Sequence, residues 1–237
     1  MKGKQIFLTC GSYYKDDNTL INDVIPHIAN TRIETQGKKL VFIYTAAEIF
    51  DYKPWFWTDR QSLIDVGFDL IDYTITGKTK DQIKYELEQC DAIYISSGNT
   101  FYLLQQAQLC EFNSIIRDMV LYKNKIYIGG CAGSIIAGPD ISPTFRIQIL
   151  DEAPLLRGFE GFGLVNFCVF PHWGDDTIFK EIYLNKRMIQ AYTHNQIPII
   201  LMTNNQYVHI QGDKMEIVDM AKEIRQKYTN HQTMRTP

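Results

Sequence analysis

Residues 126–138 read Ile-Tyr-Ile-Gly-Gly-Cys-Ala-Gly-Ser-Ile-Ile-Ala-Gly, an apolar run that stops at a glycine-rich turn and then resumes. This pattern predicts a strand, a tight turn and a helix, with Cys131 at the turn. Gly129 and Gly133 lie two residues before and two residues after Cys131, where such a turn brings backbone segments too close together for side chains. The stretch therefore predicts a nucleophile elbow in which Cys131 is the nucleophile.

The predicted elbow would also activate the thiol of Cys131. The helix that follows directs the positive end of its dipole at the cysteine, which lowers the pKa of a thiol. The amide of Ala132 would then donate to an oxyanion. A glycine-rich turn around an inert, buried cysteine fits the same residues. Ser134 is a rival nucleophile, but it falls on the helix, where its hydroxyl is better placed to act as a cap.

Short apolar runs alternate with helix-length amphipathic stretches along the rest of the chain. This order is typical of an α/β fold in which helices cover both faces of a mostly parallel, flavodoxin-like sheet. We expect one domain over residues 1–237, closed by a β-hairpin that turns at Gln211–Asp213. The predicted strands are Gln5–Cys10, Lys39–Thr45, Asp69–Ile75, Asp91–Ser96, Lys125–Gly129 and Leu164–Phe170. The predicted helices are Leu20–Ile33, Asp59–Val66, Lys80–Gln89, Phe101–Tyr122 with a break near Cys110–Glu111, and Thr177–Tyr192.

Two further turns follow predicted strands at the carboxyl end, where ligands bind in open α/β sheets. Residues 96–101, Ser-Ser-Gly-Asn-Thr-Phe, could direct backbone amides toward the nucleophile or simply cap the next helix. Residues 170–173, Phe-Pro-His-Trp, put His172 at the mouth of a core strand. A structural histidine beside an aromatic ring is the alternative, but the sheet edge that His172 shares with Cys131 favours a general base.

These stretches, taken in order, resemble the peptidase E (aspartyl dipeptidase) family, which has the class I glutamine amidotransferase-like fold. The counterparts of the family's motifs are SSGNTFYLL, GGCAGSIIAGPDI and VNFCVFPHW, and the opening IFLTCGSYY and closing VHIQGDKMEIV are also similar. The resemblance therefore spans nearly the whole chain. It implies a single domain of that fold and a peptidase-type hydrolase that acts on a small peptide-like substrate.

The resemblance also implies roles for particular residues. Cys131 stands where the family has its nucleophilic serine, and His172 stands at the position of the general base. Gly98 and Ala132 would supply the oxyanion amides. Asn99 would shape the substrate pocket.

The chain departs from the family pattern at the acid that partners the histidine. A direct continuation of the loop after the elbow helix ends near Arg146, which is not a carboxylate. Asp151 is the expected substitute, with Asp140 and Glu152 as the next candidates. Ser97 replaces the first glycine of the family's Gly-Gly-Asn turn, so the floor of the pocket differs as well.

Three functions fit these observations. The first is a hydrolase that cleaves a small peptide or amide through a thioester on Cys131. The second is a non-hydrolytic family member in which Cys131 senses oxidants or the site has decayed. The third is the glutaminase subunit of an amidotransferase, but such enzymes use a His-x-Glu pair, whereas His172 is followed by Trp-Gly-Asp-Asp. The sequence favours the first.

Composition excludes several other classes of function. Formal net charge is −3 over 237 residues, so the chain has no positive field to hold nucleic acid or an anionic membrane. Without a secretory signal or a membrane-length apolar stretch, we expect a cytoplasmic protein. The five cysteines form no Cys-x-x-Cys pair, and no disulfide, metal or organic cofactor is predicted. The aromatic residues Tyr52, Trp55 and Trp57 could wall a pocket or form the interface of a homodimer.

Overall fold

The computed structural model describes residues 3–15, 17–142, 150–175 and 197–222. The strands in these ranges are β1 (Gln5–Thr9), β2 (Tyr13–Tyr14), β3 (Leu20–Ile21), β4 (Lys39–Ile43), β5 (Asp69–Tyr73), β6 (Ala92–Ile95), β7 (Ile126–Gly130), β8 (Cys168–Phe170), β9 (Ile199–Leu201), β10 (Gln206–Gln211) and β11 (Lys214–Asp219). The α-helices are α1 (Val24–Thr31), α2 (Pro54–Asp65), α3 (Lys80–Glu88), α4 (Thr100–Leu109), α5 (Phe112–Arg117) and α6 (Ala132–Ile136). Short 3-10 turns occupy Thr45–Ala47 and Leu150–Glu152, and a π-helical turn, Asp118–Tyr122, follows α5.

Seven of the strands form one sheet in the order β11-β10-β1-β7-β6-β4-β5. Five neighbouring strands of this sheet run parallel to one another: β1, β7, β6, β4 and β5. Strands β10 and β11 add an antiparallel hairpin beside β1. Two short pairs lie outside this sheet: β2 with β3, antiparallel, and β8 with β9, parallel. The predicted α/β architecture and its closing hairpin are confirmed.

Helices cover both faces of the sheet because successive strand residues point in opposite directions. In β6, Ile93 and Ile95 pack in the larger hydrophobic cluster, which also holds buried residues of α3, α4, α5 and α6. Ala92 and Tyr94 pack in the second cluster, with α1 and α2. The carboxyl ends of β1, β6 and β7 therefore open between two helical layers, which is where the candidate site lies.

The predicted break in the long helix at Cys110–Glu111 is also confirmed. Helix α4 ends at Leu109 and α5 begins at Phe112, and Glu111 between them has a left-handed φ of 55°. A backbone in that region cannot continue a right-handed helix.

Three predicted elements differ from the observed ones. Residues Leu20–Ile21 form a strand rather than the start of a helix. Helix α2 begins at Pro54, earlier than predicted, because proline is well suited to the first helical position. The strand predicted from Leu164 is limited to Cys168–Phe170. The helix predicted over 177–192 lies outside the described residues. Among the residues that the structure describes, no helix is both long and apolar enough to cross a bilayer.

Candidate active site

Cys131 occupies the sharp turn between β7 and α6. Its backbone angles are φ 39° and ψ −94°, in a region that residues with a side chain rarely adopt. Such a conformation costs on the order of 1–3 kcal/mol and persists only where the surrounding structure imposes it. Cys131 is half-buried, whereas the other four cysteines are buried. The turn therefore presents one partly accessible thiol at the carboxyl end of a central strand.

The two flanking glycines are required by close backbone contacts, one within the turn and one with the neighbouring strand. A Cβ at Gly129 would lie 2.6 Å from the backbone nitrogen of Ser134, and a Cβ at Gly133 would lie 2.2 Å from the carbonyl oxygen of Ile95 in β6. Both distances are far below van der Waals contact. The expected need for small residues two positions before and two positions after the cysteine is confirmed.

Ser134 is committed to holding the elbow against β1. Its hydroxyl accepts the N–H of Thr9 at 2.8 Å and lies 2.7 Å from the carbonyl oxygens of Thr9 and Gly129. The side chain is fully buried. These contacts occupy the hydroxyl, so the structure does not support Ser134 as a rival nucleophile.

Gly98 and Asn99 shape the turn after β6. Gly98 has φ 145°, and a Cβ there would lie 2.1 Å from the carbonyl oxygen of Ala46. The next amide, that of Asn99, donates to the same carbonyl at 2.8 Å. The side-chain Oδ1 of Asn99 accepts the N–H groups of Phe101 and Tyr102 at 2.9 and 3.1 Å, so Asn99 caps helix α4. The capping interpretation of this motif thus holds for the oxygen of Asn99.

His172 follows β8 by two residues and is almost completely buried. Its φ is 61°, a left-handed conformation that is again unusual for a residue with a side chain. The ring Nδ1 lies 2.8 Å from Oδ1 of Asn204, and the backbone N–H donates to Sγ of Cys10 at 3.2 Å. The histidine is therefore held both through its backbone and through one ring nitrogen.

Cys10 links His172 to the elbow. It follows β1, which pairs in parallel with β7 so that Thr9 lies opposite Gly130. Its Sγ lies 3.4 Å from the carbonyl oxygen of Thr203. Burial raises the pKa of the Cys10 thiol. The hydrogen bond from the backbone of His172 lowers this pKa by less, and a negative charge on Cys131 would raise it further. Cys10 therefore stays protonated. It lies close to both Cys131 and His172.

The acid expected beside His172 lies elsewhere. Asp151 has an exposed side chain in the 3-10 turn Leu150–Glu152, and Glu152 is exposed as well. Asp140 accepts the amide and hydroxyl of Ser142 within its own loop. The structure thus gives Nδ1 of His172 an asparagine partner in place of the predicted Asp151, while Arg146 falls outside the described residues.

Asn204 belongs to the site but has no motif of its own in the sequence. It follows β9, which pairs in parallel with β8 so that Phe170 lies opposite Leu201. Residues that follow two parallel, neighbouring strands lie at the same edge of the sheet, which explains how Asn204 meets His172. Only this strand pairing identifies Asn204, and the sequence alone does not show it. Among the described residues, no three His, Cys, Asp or Glu side chains cluster closely enough to hold a metal ion.

A buried carboxyl group, Asp59 of α2, lies beneath the elbow. It is fully buried and accepts hydrogen bonds from Ser12, from Asn22 at 2.7 Å and from the hydroxyl of Tyr94 at 2.8 Å. A Cβ at Gly130, next to the cysteine, would lie 2.3 Å from that same hydroxyl. Burial raises the pKa of Asp59, and its hydrogen bonds lower it by less.

This raised pKa predicts how stability depends on pH. Ionisation of Asp59 is less favourable in the folded chain than in the unfolded chain, where its pKa is about 3.9. The stability that the group contributes is full below that value and is lost as pH rises through the folded pKa. Asp59→Asn cannot ionise, so we expect its stability relative to wild type to increase as the pH is raised from about 4 toward neutrality. Urea denaturation across this range measures the difference.

Asp65→Asn is the matched control for that experiment, because Asp65 is an exposed carboxyl group on the same helix. Its stability difference from wild type should change little with pH. A difference for Asp59→Asn that stays constant or falls with rising pH would show that the folded pKa of Asp59 is not raised.

Comparisons with known proteins identify the family to which the chain belongs. The model of peptidase family S51 matches residues 6–218, and the chain belongs to that family. An uncharacterized peptidase of Listeria monocytogenes is 27% identical over 212 residues, which cover 90% of this chain and 97% of the relative. Peptidase E of Actinobacillus pleuropneumoniae serotype 5b is 26% identical over 221 residues, covering 91% and 89%.

A solved structure shows the same relationship in three dimensions. The crystal structure of a candidate peptidase E from Listeria monocytogenes EGD-e superimposes with a TM-score of 0.78 at 26% identity, covering 91% of this chain and 98% of that one. The resemblance drawn from the sequence motifs is confirmed. The chain is a peptidase E-like hydrolase.

Proposed function

We propose that this protein hydrolyses a small peptide or amide, with Cys131 as the nucleophile and His172 as the general base. The observation that carries the proposal is the strained conformation of Cys131, φ 39° and ψ −94°, with a half-buried thiol at the carboxyl end of β7. A structural cysteine has no need of such a backbone. A nucleophile does, because this turn separates its side chain from the strand and points it at a bound substrate.

The proposed reaction forms and breaks one thioester. His172 takes the proton of the Cys131 thiol, and the sulfur attacks the substrate carbonyl carbon. The tetrahedral intermediate collapses when the C–N bond breaks, and His172 returns the proton to the leaving amine. Water, deprotonated by His172, then attacks the thioester carbonyl. The carboxylic acid leaves, and the thiol is restored.

Two backbone amides are proposed to stabilise the oxyanion. Ala132 is the first residue of α6, so its N–H is one of the amides that a helix leaves without an intrahelical acceptor. Gly98 follows β6, the strand beside β7, and its φ of 145° sets the orientation of its peptide groups. Two donors that are held rigidly at this point stabilise charge without reorganising during the reaction.

The reactivity of the thiol tests this proposal. We expect iodoacetamide to label one cysteine rapidly, Cys131, with an apparent pKa below the ordinary thiol value of about 8.5. The four other cysteines are buried and should label slowly. His172→Ala should raise the apparent pKa, whereas His27→Ala, a histidine on α1, should leave it unchanged. Mass spectrometry of the labelled peptides gives both the site and the rate.

The result decides between the proposal and its alternatives. A fast-labelling Cys131 whose pKa depends on His172, together with release of amines from a dipeptide and amide library, supports the hydrolase. Slow labelling with an ordinary pKa contradicts it. Conversion of Cys131 to a sulfenic acid by peroxide, without turnover of any library member, supports an oxidant sensor instead.

A further inference from the structure

We infer that Asn204, itself oriented by Asp175, is a positioning residue that holds the proton of neutral His172 on Nδ1. The lone pair of the ring then lies on Nε2, which takes the proton of the Cys131 thiol. The inference rests on the proposed function for its role in catalysis, but its structural part can be measured without any activity.

The hydrogen bonds determine which way the amide of Asn204 points. One end lies 2.9 Å from Oδ2 of Asp175, and the other lies 2.8 Å from Nδ1 of His172. An ionised carboxylate can only accept, so the amide directs its NH₂ group at Asp175 and its oxygen at the histidine. An amide oxygen also only accepts. Nδ1 must therefore carry a proton, and the neutral ring must have its lone pair on Nε2.

Backbone contacts hold these three residues in one place. The N–H of Met202 donates to the carbonyl of Phe170 at 2.8 Å, and the N–H of Trp173 donates to the carbonyl of Met202 at 2.9 Å. These bonds join the segment that carries His172 to the segment that carries Asn204. The amide of Asp175 donates to the carbonyl of His172 at 3.2 Å, which closes the turn between them.

An amide partner suits a cysteine nucleophile. A carboxylate beside the imidazole would stabilise the imidazolium by a full charge, and a serine hydroxyl needs that help because it holds its proton tightly. A thiol with a pKa of about 8.5 gives up its proton far more readily. Fixing the tautomer is then enough. Cys131 in place of serine and Asn204 in place of an acid are therefore chemically compatible departures from the family pattern.

Nitrogen-15 NMR of histidine-labelled protein tests the tautomer directly. The signals of His172 are assigned by their loss in His172→Ala. In wild type we expect neutral His172 as the Nδ1–H form. In Asn204→Ala we expect a mixture that includes the Nε2–H form, and a fall in the alkylation rate of Cys131 of at least about tenfold near pH 7.

Two further variants separate positioning from simple loss of structure. Asn204→Asp keeps an acceptor at Nδ1 and brings a carboxylate next to the ring, so the Nδ1–H form should persist and the pKa of His172 should rise. Asp175→Asn replaces a group that only accepts with an amide that can accept or donate, so the orientation of Asn204 is no longer fixed and part of the population should shift away from the Nδ1–H form. Asn205→Ala is the matched control, because the neighbouring asparagine lies 3.2 Å from the hydroxyl of Tyr13 instead.

The two readouts distinguish failure of this inference from failure of the proposed function. Unchanged tautomer and unchanged pKa of His172 in both Asn204→Ala and Asn204→Asp would overturn the inference, whatever the reactivity of Cys131. A tautomer that shifts as expected while Cys131 is unreactive in wild type would uphold the positioning by Asn204 and overturn the hydrolase proposal. If Asn204→Ala does not fold, Asn204→Asp and Asp175→Asn still decide the question.

Discussion

Cys131→Gly is expected to abolish hydrolysis and, at the same time, to make the fold more stable. Loss of the proposed nucleophile should lower the turnover of any peptide or amide substrate by at least about 10³-fold. The gain in stability follows from the φ of 39° at this position, which glycine adopts without steric cost. Relief of about 1–3 kcal/mol of strain exceeds the extra entropy that glycine loses on folding, so we expect a net gain of about 1 kcal/mol.

Cys131→Ala is the matched control, because alanine removes the sulfur but keeps the Cβ that makes this conformation unfavourable. It should be as inactive as Cys131→Gly without the gain in stability. Urea denaturation gives the free energies of unfolding, and amine release from the dipeptide and amide library gives the activity. A glycine variant that is no more stable than the alanine variant would show that the turn is not strained.

Gly133→Ala is expected to have the largest effect on stability. Gly133 lies within α6, where helix propensity alone favours alanine by about 1 kcal/mol. The new Cβ would, however, lie 2.2 Å from the carbonyl oxygen of Ile95, which belongs to a central strand and cannot move away. We expect the free energy of unfolding to fall by about 3 kcal/mol or more, a large part of the roughly 5–15 kcal/mol typical of a whole protein.

Gly77→Ala separates this contact from the general cost of replacing a glycine. Gly77 has φ 73°, and a Cβ there would meet no atom within 4 Å, so alanine should cost only about 1–2 kcal/mol. Urea denaturation followed by circular dichroism compares the two variants. A Gly133→Ala protein as stable as Gly77→Ala would mean that β6 and α6 do not pack as closely as described.

The elbow could be predicted from the sequence because its physical requirements are local. Gly129, Cys131 and Gly133 lie within five residues, and the contact that requires Gly129 is made within the turn. Only the contact that requires Gly133, with Ile95, reaches the neighbouring strand. The break at Cys110–Glu111 and the hairpin turn at Gly212 are local in the same sense, since each depends on a left-handed backbone at one position. These three features therefore follow from the residues of one short stretch each.

The partner of His172 could not be predicted in this way. Asn204 is 32 positions further along the chain, and it meets the histidine only because β8 and β9 pair with each other. In the sequence it is one of two adjacent asparagines in a turn, and nothing local distinguishes it from Asn205. The resemblance predicts a carboxylate in the loop after the elbow, for which Asp151 is the first candidate, but the side chain of Asp151 is exposed on a 3-10 turn.

The proposed nucleophile and the proposed base are carried by different sheets. Cys131 follows β7 in the middle of the seven-stranded sheet, where Ser134 ties it to β1, whereas His172 follows β8 of a separate two-stranded pair. The N–H of His172 reaches the main sheet through the sulfur of Cys10. Partial unfolding that loosens the two-stranded pair would carry the histidine away and leave the thiol in its turn, so catalytic competence is more fragile than the fold that supports it.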